Sequence, residues 1–398
     1  MRFSTTILAI LLSLLPYFAT SRTDEFTNVP DSISALLKQA DQEEDKNLSA
    51  AIHHIDQVIA WADNTNNTPV LFKIYRKKGY LYERNNNLEQ AAKAYSSALA
   101  LQSKVSDTDK TDIFLDWAIL NKKTGDYKTA KEYYQNALKI AEEKKDFEMV
   151  GFAYNGLATL HGALSDFEKA IEYNLKALET AERVGKKATI SASFRNIAIV
   201  YMKAQNYDLA IKNAEKSWSI ALETKDSAAI AHSLETHGKV LNAMGNPQAA
   251  IAKHLEALNL IERTGDKRFS VELLIQIGES YMQLNELDKA ELYYKRCLKY
   301  EDYMDYYEHP SFYYKWGQLC LKNHQTTTAL AAFNKSLTLA EGKKFKDLIQ
   351  KNNAALAELY NQTGDFHKAF TCLATASAYS DSLFSEAPGA SRNVGIKS

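Results

Sequence analysis

Apolar residues between Gly151 and Arg183 recur every three or four positions in two consecutive stretches. The first stretch contains Phe152, Leu157, Leu160 and Leu164, and the second contains Phe167, Ala170, Ile171, Leu175, Ala177, Leu178 and Ala181. This spacing predicts two amphipathic helices, with Ser165 or Asp166 capping the second. Because two helices of about four turns cannot cover both apolar stripes alone, the pair requires neighbouring elements.

The same two-helix pattern recurs along the chain with a period of 39 or 40 residues. In the second helices, one column of alanine marks the repeat: Ala51, Ala91, Ala130, Ala170, Ala210, Ala250, Ala290, Ala329 and Ala369. Twelve residues before each alanine from the second onward, a column of small residues marks the first helices: Gly79, Ala118, Ala158, Ala198, Gly238, Gly278, Gly317 and Ala357. Small residues in both helices predict a close approach of the two backbones, where a larger side chain would cost about 1–3 kcal/mol.

Turn residues separate the two helices of each unit. Gly125-Asp126 and Gly245-Asn246 are examples, and each pair precedes the first residue of a second helix. Glycine tolerates the left-handed conformation that ends a helix, and Asp or Asn caps the next one. These signals predict an all-α chain of nine helix-turn-helix units.

The repeat resembles the tetratricopeptide repeat family. The residues that carry the resemblance are Leu274-Ile277-Gly278-Tyr281 and Tyr313-Trp316-Gly317 in first helices, each followed by alanine in the second helix. The resemblance covers about residues 31–384 and implies an α-solenoid of about nine units forming a right-handed superhelix. The family's usual unit is about 34 residues, so the longer period indicates its long-helix subclass, similar to the sensor regions of bacterial periplasmic repeat proteins.

The two ends of the sequence differ from the repeats. Residues 1–21 carry Arg2, an apolar run from Ile7 to Ala19 and the small residues Ala19-Thr20-Ser21, which are typical of a signal peptide cleaved after Ser21. The run is shorter than the roughly 20 apolar residues that span a bilayer, although an uncleaved anchor remains an alternative. We therefore expect a secreted or periplasmic chain with no membrane insertion after cleavage. Residues 385–398 are predicted to be a disordered tail.

Composition and motifs argue against several function classes. The net charge is −1 with 24% charged residues, so the sequence indicates neither a nucleic acid nor an anionic membrane as partner. It contains none of the short motifs of zinc hydrolases, serine hydrolases or phosphate-binding loops. We therefore predict a protein that is not an enzyme and has no cofactor.

Cysteines and histidines offer two further sites to consider. Cys297 and Cys320 lie in consecutive helices, so the alternatives are a disulfide in an exported chain or buried thiols. His232 and His237 are five residues apart and point in different directions, with His254 on the partner helix. We interpret these histidines as packing residues and predict no metal site.

Six tyrosines lie between Tyr300 and Tyr314, with acidic residues interleaved and Trp316 close behind. Such a cluster is typical of packing between repeats, and the alternative is a surface that contacts a ligand.

The resemblance implies that first helices line a concave groove. Counted from the small-residue column, Asn155, Arg195 and Asn196 face this groove, with Phe152 and Tyr80 as apolar contacts. An asparagine amide satisfies both the N–H and the C=O of an extended peptide. We therefore predict a peptide-binding site at these five residues; the alternative is that the asparagines brace neighbouring helices.

These observations favour a non-catalytic exported scaffold or adaptor that binds a protein or peptide. The alternative is a sensory or regulatory module of a membrane signalling system, detached from its kinase, cyclase or DNA-binding output. That alternative rests on Asp381-Ser382-Leu383-Phe384, which resembles the segment that leads from such repeats to a membrane helix. An enzyme or a metal binder is the least favoured reading, and the sequence indicates no oligomeric state.

Overall fold

A computed structural model describes residue 26 and residues 29–44, 47–85, 87–304, 308–343 and 345–386. Within these ranges the chain forms α-helices joined by turns and two short 3-10 segments, with no β-strand. The signal-peptide prediction for residues 1–21 lies outside the described residues. The last helix includes Ser385 and Glu386, and the rest of the predicted tail lies outside the described residues as well.

In chain order, the eighteen α-helices within the described ranges alternate between nine first helices and nine second helices, and we call each first helix and the second helix that follows it a pair. The first helices of the pairs are α1 Asp31–Glu43, α3 Thr68–Arg84, α5 Asp107–Thr124, α7 Phe147–Ala163, α9 Lys187–Lys203, α11 Ser227–Ala243, α13 Lys267–Gln283, α15 Glu308–Lys322 and α17 Lys346–Gln362. The second helices are α2 Leu48–Asn64, α4 Leu88–Leu99, α6 Tyr127–Lys144, α8 Phe167–Val184, α10 Tyr207–Thr224, α12 Pro247–Thr264, α14 Leu287–Leu298, α16 Thr326–Gly342 and α18 Phe366–Glu386. Asp381 to Phe384, which the sequence pattern places after the last helix, are instead part of the last helix α18.

The helices divide into two compact units between Asn206 and Tyr207. In the first unit, α1 to α9, each helix packs against the next, and the first helices α3, α5 and α7 also contact one another in order. In the second unit, α10 to α18, the same holds, with contacts in order among α11, α13, α15 and α17. Each unit is thus a layered stack of nine helices, four pairs and one further helix, which confirms the predicted all-α solenoid architecture.

Helix ends follow the local signals in the sequence. The Asp126 and Asp166 side chains accept hydrogen bonds from the backbone N–H of Thr129 (3.0 Å) and Lys169 (3.4 Å), and so cap α6 and α8. Gly125 has φ of 87°, the left-handed conformation that glycine adopts without strain. The first helix of the Gly151 to Arg183 stretch begins at Phe147, five residues before the apolar pattern starts at Phe152, because Asp146 caps it there.

The small-residue columns lie where two helices approach closely. Eight of the nine alanines in the second-helix column are fully buried; the last, Ala369, is partly exposed. In the first-helix column, a Cβ added at Gly278 would lie 2.5 Å from Tyr294 Cδ1 of the paired helix. This confirms that the columns are steric, because there is no room for a larger side chain between the helices.

Candidate functional site

Two asparagines from neighbouring first helices meet on one surface of the first unit. Asn196 Nδ2 of α9 donates a hydrogen bond to Asn155 Oδ1 of α7, over 3.3 Å. We call the surface formed by α3, α5, α7 and α9 the first-helix surface. The Asn155 and Asn196 amides therefore bridge two repeats on this surface.

The position of α7 depends on its contact with the preceding second helix. Tyr134 of α6 is fully buried, and its ring packs directly against Gly156 of α7, where no Cβ intervenes. Asn155 precedes this glycine, so the close packing fixes where the Asn155 side chain leaves the helix. Asn155 is half-buried and Asn196 is buried.

The structure brings together only part of the predicted site. Arg195 is buried beside Asn196 in the chain, and Phe152 lies one turn before Asn155 on α7, against the apolar cluster that contains Tyr134. Tyr80 of α3 belongs to another apolar cluster, formed by the first two pairs, and α5 contacts both α3 and α7. Asn155 and Asn196 are thus in direct contact, Phe152 and Arg195 lie near them along α7 and α9, and Tyr80 lies two repeats away.

A buried ion group that the sequence analysis missed lies on the same surface. Arg76 of α3 contacts Asp112 (Nη1 to Oδ2, 2.8 Å) and Asp116 (Nε to Oδ2, 2.5 Å) of α5. Burial raises the pKa of Asp116 to about 6, although Arg76 opposes this shift. Burial lowers the pKa of Arg76, but the two carboxylates outweigh this effect, so its pKa is raised and the side chain stays charged. The group therefore joins the second and third pairs.

Further polar contacts continue from this ion group toward the asparagines. Glu83 accepts a hydrogen bond from Tyr95 Oη (2.8 Å) and forms an ion pair with Lys123 Nζ (2.6 Å). Lys122 Nζ donates to Thr159 Oγ1 of α7 (3.0 Å). Burial, followed by the charge of Lys123, lowers the pKa of Lys122 to about 8. A cation therefore lies beside α7 at neutral pH.

These pairs share a spacing that the sequence contains. Arg76 and Asp116 are 40 residues apart, Lys122 and Thr159 are 37 apart, and Asn155 and Asn196 are 41 apart. Each separation is close to one repeat, so the partners occupy similar positions on neighbouring first helices. A search for complementary residues one period apart would have found them.

The second unit has its own ion group on its first helices. Lys239 of α11 contacts Glu235 of the same helix and Glu272 of α13, the latter over 2.8 Å. His254 of α12 is fully buried, and burial, followed by the charge of Lys239, lowers its pKa to about 4. His232 stacks on Phe269 with ring centroids 4.2 Å apart. These histidines therefore make packing contacts.

Other candidate groups also take part in packing. Cys297 and Cys320 are buried free thiols. Tyr313 is buried and accepts a hydrogen bond from Lys335 Nζ (2.6 Å), which also contacts Glu301 (2.7 Å). Tyr306 and Tyr307 lie outside the described residues. Among the residues that the structure describes, no group of three His, Cys, Asp or Glu side chains is arranged to hold a metal ion.

No helix in the described ranges combines the length and the apolar character needed to cross a membrane. This finding concerns the helices from Asp31 onward and does not test the predicted leader.

Family models match most of the repeats. One model, described as tetratricopeptide repeat, matches residues 110–183, 189–263 and 228–300, and a second with the same description matches residues 72–105. Together these segments cover more than half of the chain. Among curated proteins, none matches the sequence.

Solved structures share the fold at low sequence identity. A Rap protein complexed with Competence and Sporulation Factor matches with a TM-score of 0.57 and 14% identity, over 89% of this chain and 98% of its own. The apo form of the quorum sensor NprR from B. thuringiensis matches with a TM-score of 0.57 and 14% identity, over 88% and 99%. Aspartyl phosphate phosphatase F from Bacillus subtilis matches with a TM-score of 0.54 and 14% identity, over 89% and 96%. At this identity the similarity shows a common fold.

Proposed function

Because the chain belongs to the tetratricopeptide repeat family, we propose that it is a non-catalytic module that binds an extended segment of a protein or peptide. The binding site is the first-helix surface around Asn155 and Asn196. The single observation that carries the proposal is the hydrogen bond between these two amides. It presents two oriented amides, one from each of two neighbouring repeats, on a surface with adjacent charge.

The asparagine pair has hydrogen-bonding capacity beyond its mutual contact. An asparagine offers two N–H donors and one carbonyl with two lone pairs. Their mutual bond engages one donor of Asn196 and one lone pair of Asn155. The Asn155 N–H groups and the Asn196 carbonyl thus match the C=O and N–H groups of an extended backbone. Since the mutual bond orients both amides beforehand, a ligand loses less conformational entropy on binding.

The charges near this pair favour a segment that carries an acidic group. Lys122 lies one repeat before the asparagines, with its Nζ on Thr159 of α7, two turns from Phe152. With a pKa of about 8 it is mostly protonated at pH 7. Arg195, buried next to Asn196, adds a second cation. An acidic side chain or a terminal carboxylate beside the extended segment complements these two cations.

A solved structure with the same fold and the leader-like residues 1–21 also support the proposal. The Rap protein that shares the fold is complexed with Competence and Sporulation Factor, so a repeat stack of this kind does accommodate a binding partner. The leader-like residues 1–21 support export, which would place the partner outside the cytoplasm. The chain would then act as an adaptor that brings its partner to other envelope components.

Capture of partners by the purified chain tests the proposal. Residues 22–398 are incubated with envelope extract, beside the variant Asn155→Ala/Arg195→Ala/Asn196→Ala and the control variant Asn136→Ala. Asn136 is an exposed asparagine of the second helix α6, away from the proposed surface. Mass spectrometry identifies the bound species, and circular dichroism verifies that all three proteins are folded.

We expect a partner that both the unmodified chain and the Asn136→Ala control retain and the triple variant loses. Retention by the folded triple variant would show that the site lies elsewhere. Capture of no protein or peptide by the unmodified chain would contradict the proposed function itself.

A further inference from the structure

The last helix of the second unit carries an exposed apolar face. Phe366, Phe370 and Leu373 of α18 are 68%, 74% and 60% exposed. Their spacing of four and three residues places them along one side of the helix. α18 also packs against α17, its partner in the last pair, and its buried residue Ala376 lies on a neighbouring side of the helix. Scattered exposed leucines are ordinary on protein surfaces, but three large apolar side chains in a row are not.

The residues of this face can be compared with the equivalent residues of the other second helices. Leu373 is the residue four positions after the alanine column. In the eight preceding pairs the residues at this position are all 2% exposed or less: Ile55, Tyr95, Tyr134, Asn174, Ala214, His254, Tyr294 and Phe333. The residues equivalent to Phe370, one position after the column, range from buried (Ile52 and Ile251) to exposed (Lys131), and most are half-buried. The position of Leu373 is therefore covered in every other pair, and that of Phe370 is at least partly covered in most of them.

In those other pairs, the residue at the Leu373 position packs against the first helix of its own pair, as Tyr294 does against Gly278, and the first helix of the following pair completes the cover. Tyr294 of α14 packs its ring against Phe312 of α15, with centroids 5.5 Å apart and an edge-to-face geometry. Tyr134 of α6 packs on Gly156 of α7. Since this contact surface recurs from pair to pair, the face of α18 is suited to an amphipathic helix with apolar or small side chains.

The composition of α18 also resembles that of an interface. The twelve residues 369–380 contain no charged side chain, whereas each of the other eight second helices has at least one in the corresponding twelve. The cores of protein interfaces are depleted in charge in the same way. Next to the large side chains lie the exposed small residues Ala374, Ser377 and Ala378, which allow a second helix to approach closely.

The first helix α1 of another copy would be a poor cover for this face. Most of its exposed side chains are polar or charged, namely Asp31, Ser32, Lys38, Gln39, Asp41 and Gln42. Such a head-to-tail contact would bury these groups against phenylalanine and leucine without hydrogen-bond partners, which is costly. The uncharged face of α18 is complementary to itself.

We infer that two copies of the chain associate through their α18 helices. The two helices pack about a two-fold axis, so that Phe370 and Leu373 of each copy pack against the α18 face of the other. The contact replaces, between copies, the helix-on-helix packing that each second helix makes within the chain. A homodimer with two binding surfaces would capture a multivalent partner more tightly than a single copy.

Sedimentation velocity of the purified chain at micromolar concentration tests this inference, with the variant Phe370→Asp/Leu373→Asp and the control Leu292→Asp. Leu292 of α14 is 57% exposed but lies outside the α18 face, so the control has a comparable exposed leucine changed to aspartate. We expect a dimer for the unmodified chain and the control, and a monomer with an unchanged circular dichroism spectrum for the α18 variant. In a Cys372→Ser background, Ala374→Cys should form a covalent dimer on mild oxidation.

Three results would overturn the inference. The first is a monomeric unmodified chain at all accessible concentrations, and the second is a dimer that persists in the α18 variant. The third is a chain that becomes dimeric only after truncation at Glu386, since residues 387–398 would then be what covers the face.

Discussion

Replacing Gly156 by alanine is the most informative perturbation of the helix that carries Asn155. A Cβ at this position would lie 2.6 Å from Tyr134 Cδ1 and 2.7 Å from Cζ. Carbon atoms in contact are normally about 3.5–4 Å apart, so the ring or α7 has to move by about 1 Å. The Tyr134 ring is fully buried and has little space for such a movement.

Gly162 provides a matched control on the same helix. A Cβ added there has no heavy atom within 4 Å. Gly162→Ala therefore gains only the helix propensity of alanine, which raises the free energy of unfolding by about 0.5–1 kcal/mol. Gly156→Ala has the same gain but also an overpacking cost of about 1–3 kcal/mol. The two variants should differ by that overpacking cost.

Urea unfolding followed by circular dichroism measures the difference. We expect the midpoint of Gly156→Ala to lie below that of Gly162→Ala by an amount equivalent to about 1–3 kcal/mol. In a Tyr134→Ala background, the cost of Gly156→Ala should disappear, because the ring that it meets has been removed. Equal stability of the two glycine variants, or an unchanged cost without Tyr134, would refute the close-packing argument.

Two further predictions concern the buried ionisable groups. His254 has a pKa of about 4 in the folded chain and about 6.5 when unfolded, so the unfolded chain binds more protons between these values. The stability it contributes is complete above pH 6.5 and decreases as the pH falls, by about 2 kcal/mol between pH 7 and pH 5. His254→Phe introduces the residue that a later repeat has at the same position, Phe333, and should remove this decrease. Urea unfolding at pH 7 and pH 5 measures it, and an unchanged pH dependence of stability would contradict the prediction. Arg76→Met leaves Asp112 and Asp116 buried without their cation and should lower the free energy of unfolding by about 3–5 kcal/mol. Lys93→Met, which breaks an exposed pair with Glu89, should cost about 0.5 kcal/mol or less; equal losses in urea unfolding would contradict the role of burial.

Much of the fold could be predicted from sequence because its signals are local and repeated. Gly278 and the alanine column identify the close contacts of each pair, and caps such as Asp126 mark where second helices begin. Each of these features depends on residues within one helix pair. The starts of first helices were less certain, since Asp146 precedes the apolar pattern that begins with Phe152.

The contacts between repeats were harder to predict because they depend on how neighbouring helices are aligned. Asn155 and Asn196 were identified by residue type, but their mutual hydrogen bond is visible only when α7 and α9 lie side by side. Nothing in the local sequence distinguishes Asp112 and Asp116 from surface charges, because the cation that contacts both, Arg76, lies one repeat earlier. Burial of a charge is a property of the whole surface.

The exposed face of α18 was not predicted for a related reason. Phe366 lies three residues before Ala369, where most second helices carry a large apolar or aromatic residue such as Leu88, Tyr127 or Phe167, so the sequence suggests that it packs like the others. Its exposure, with that of Phe370 and Leu373, depends on what lies against the outer side of α18. The repeat pattern specifies the residues of a helix but not its neighbour in space.

The most direct test of the binding proposal is the affinity of the captured partner for the asparagine surface. Isothermal titration measures the affinity of the partner's binding segment for three proteins. These are the unmodified chain, the Asn155→Ala/Arg195→Ala/Asn196→Ala variant and the Asn136→Ala control. Loss of the amide hydrogen bonds, each contributing about 0.5–1.5 kcal/mol, and of one charge-assisted contact predicts at least about tenfold weaker binding by the triple variant. An affinity that is the same for all three proteins would contradict the proposed site.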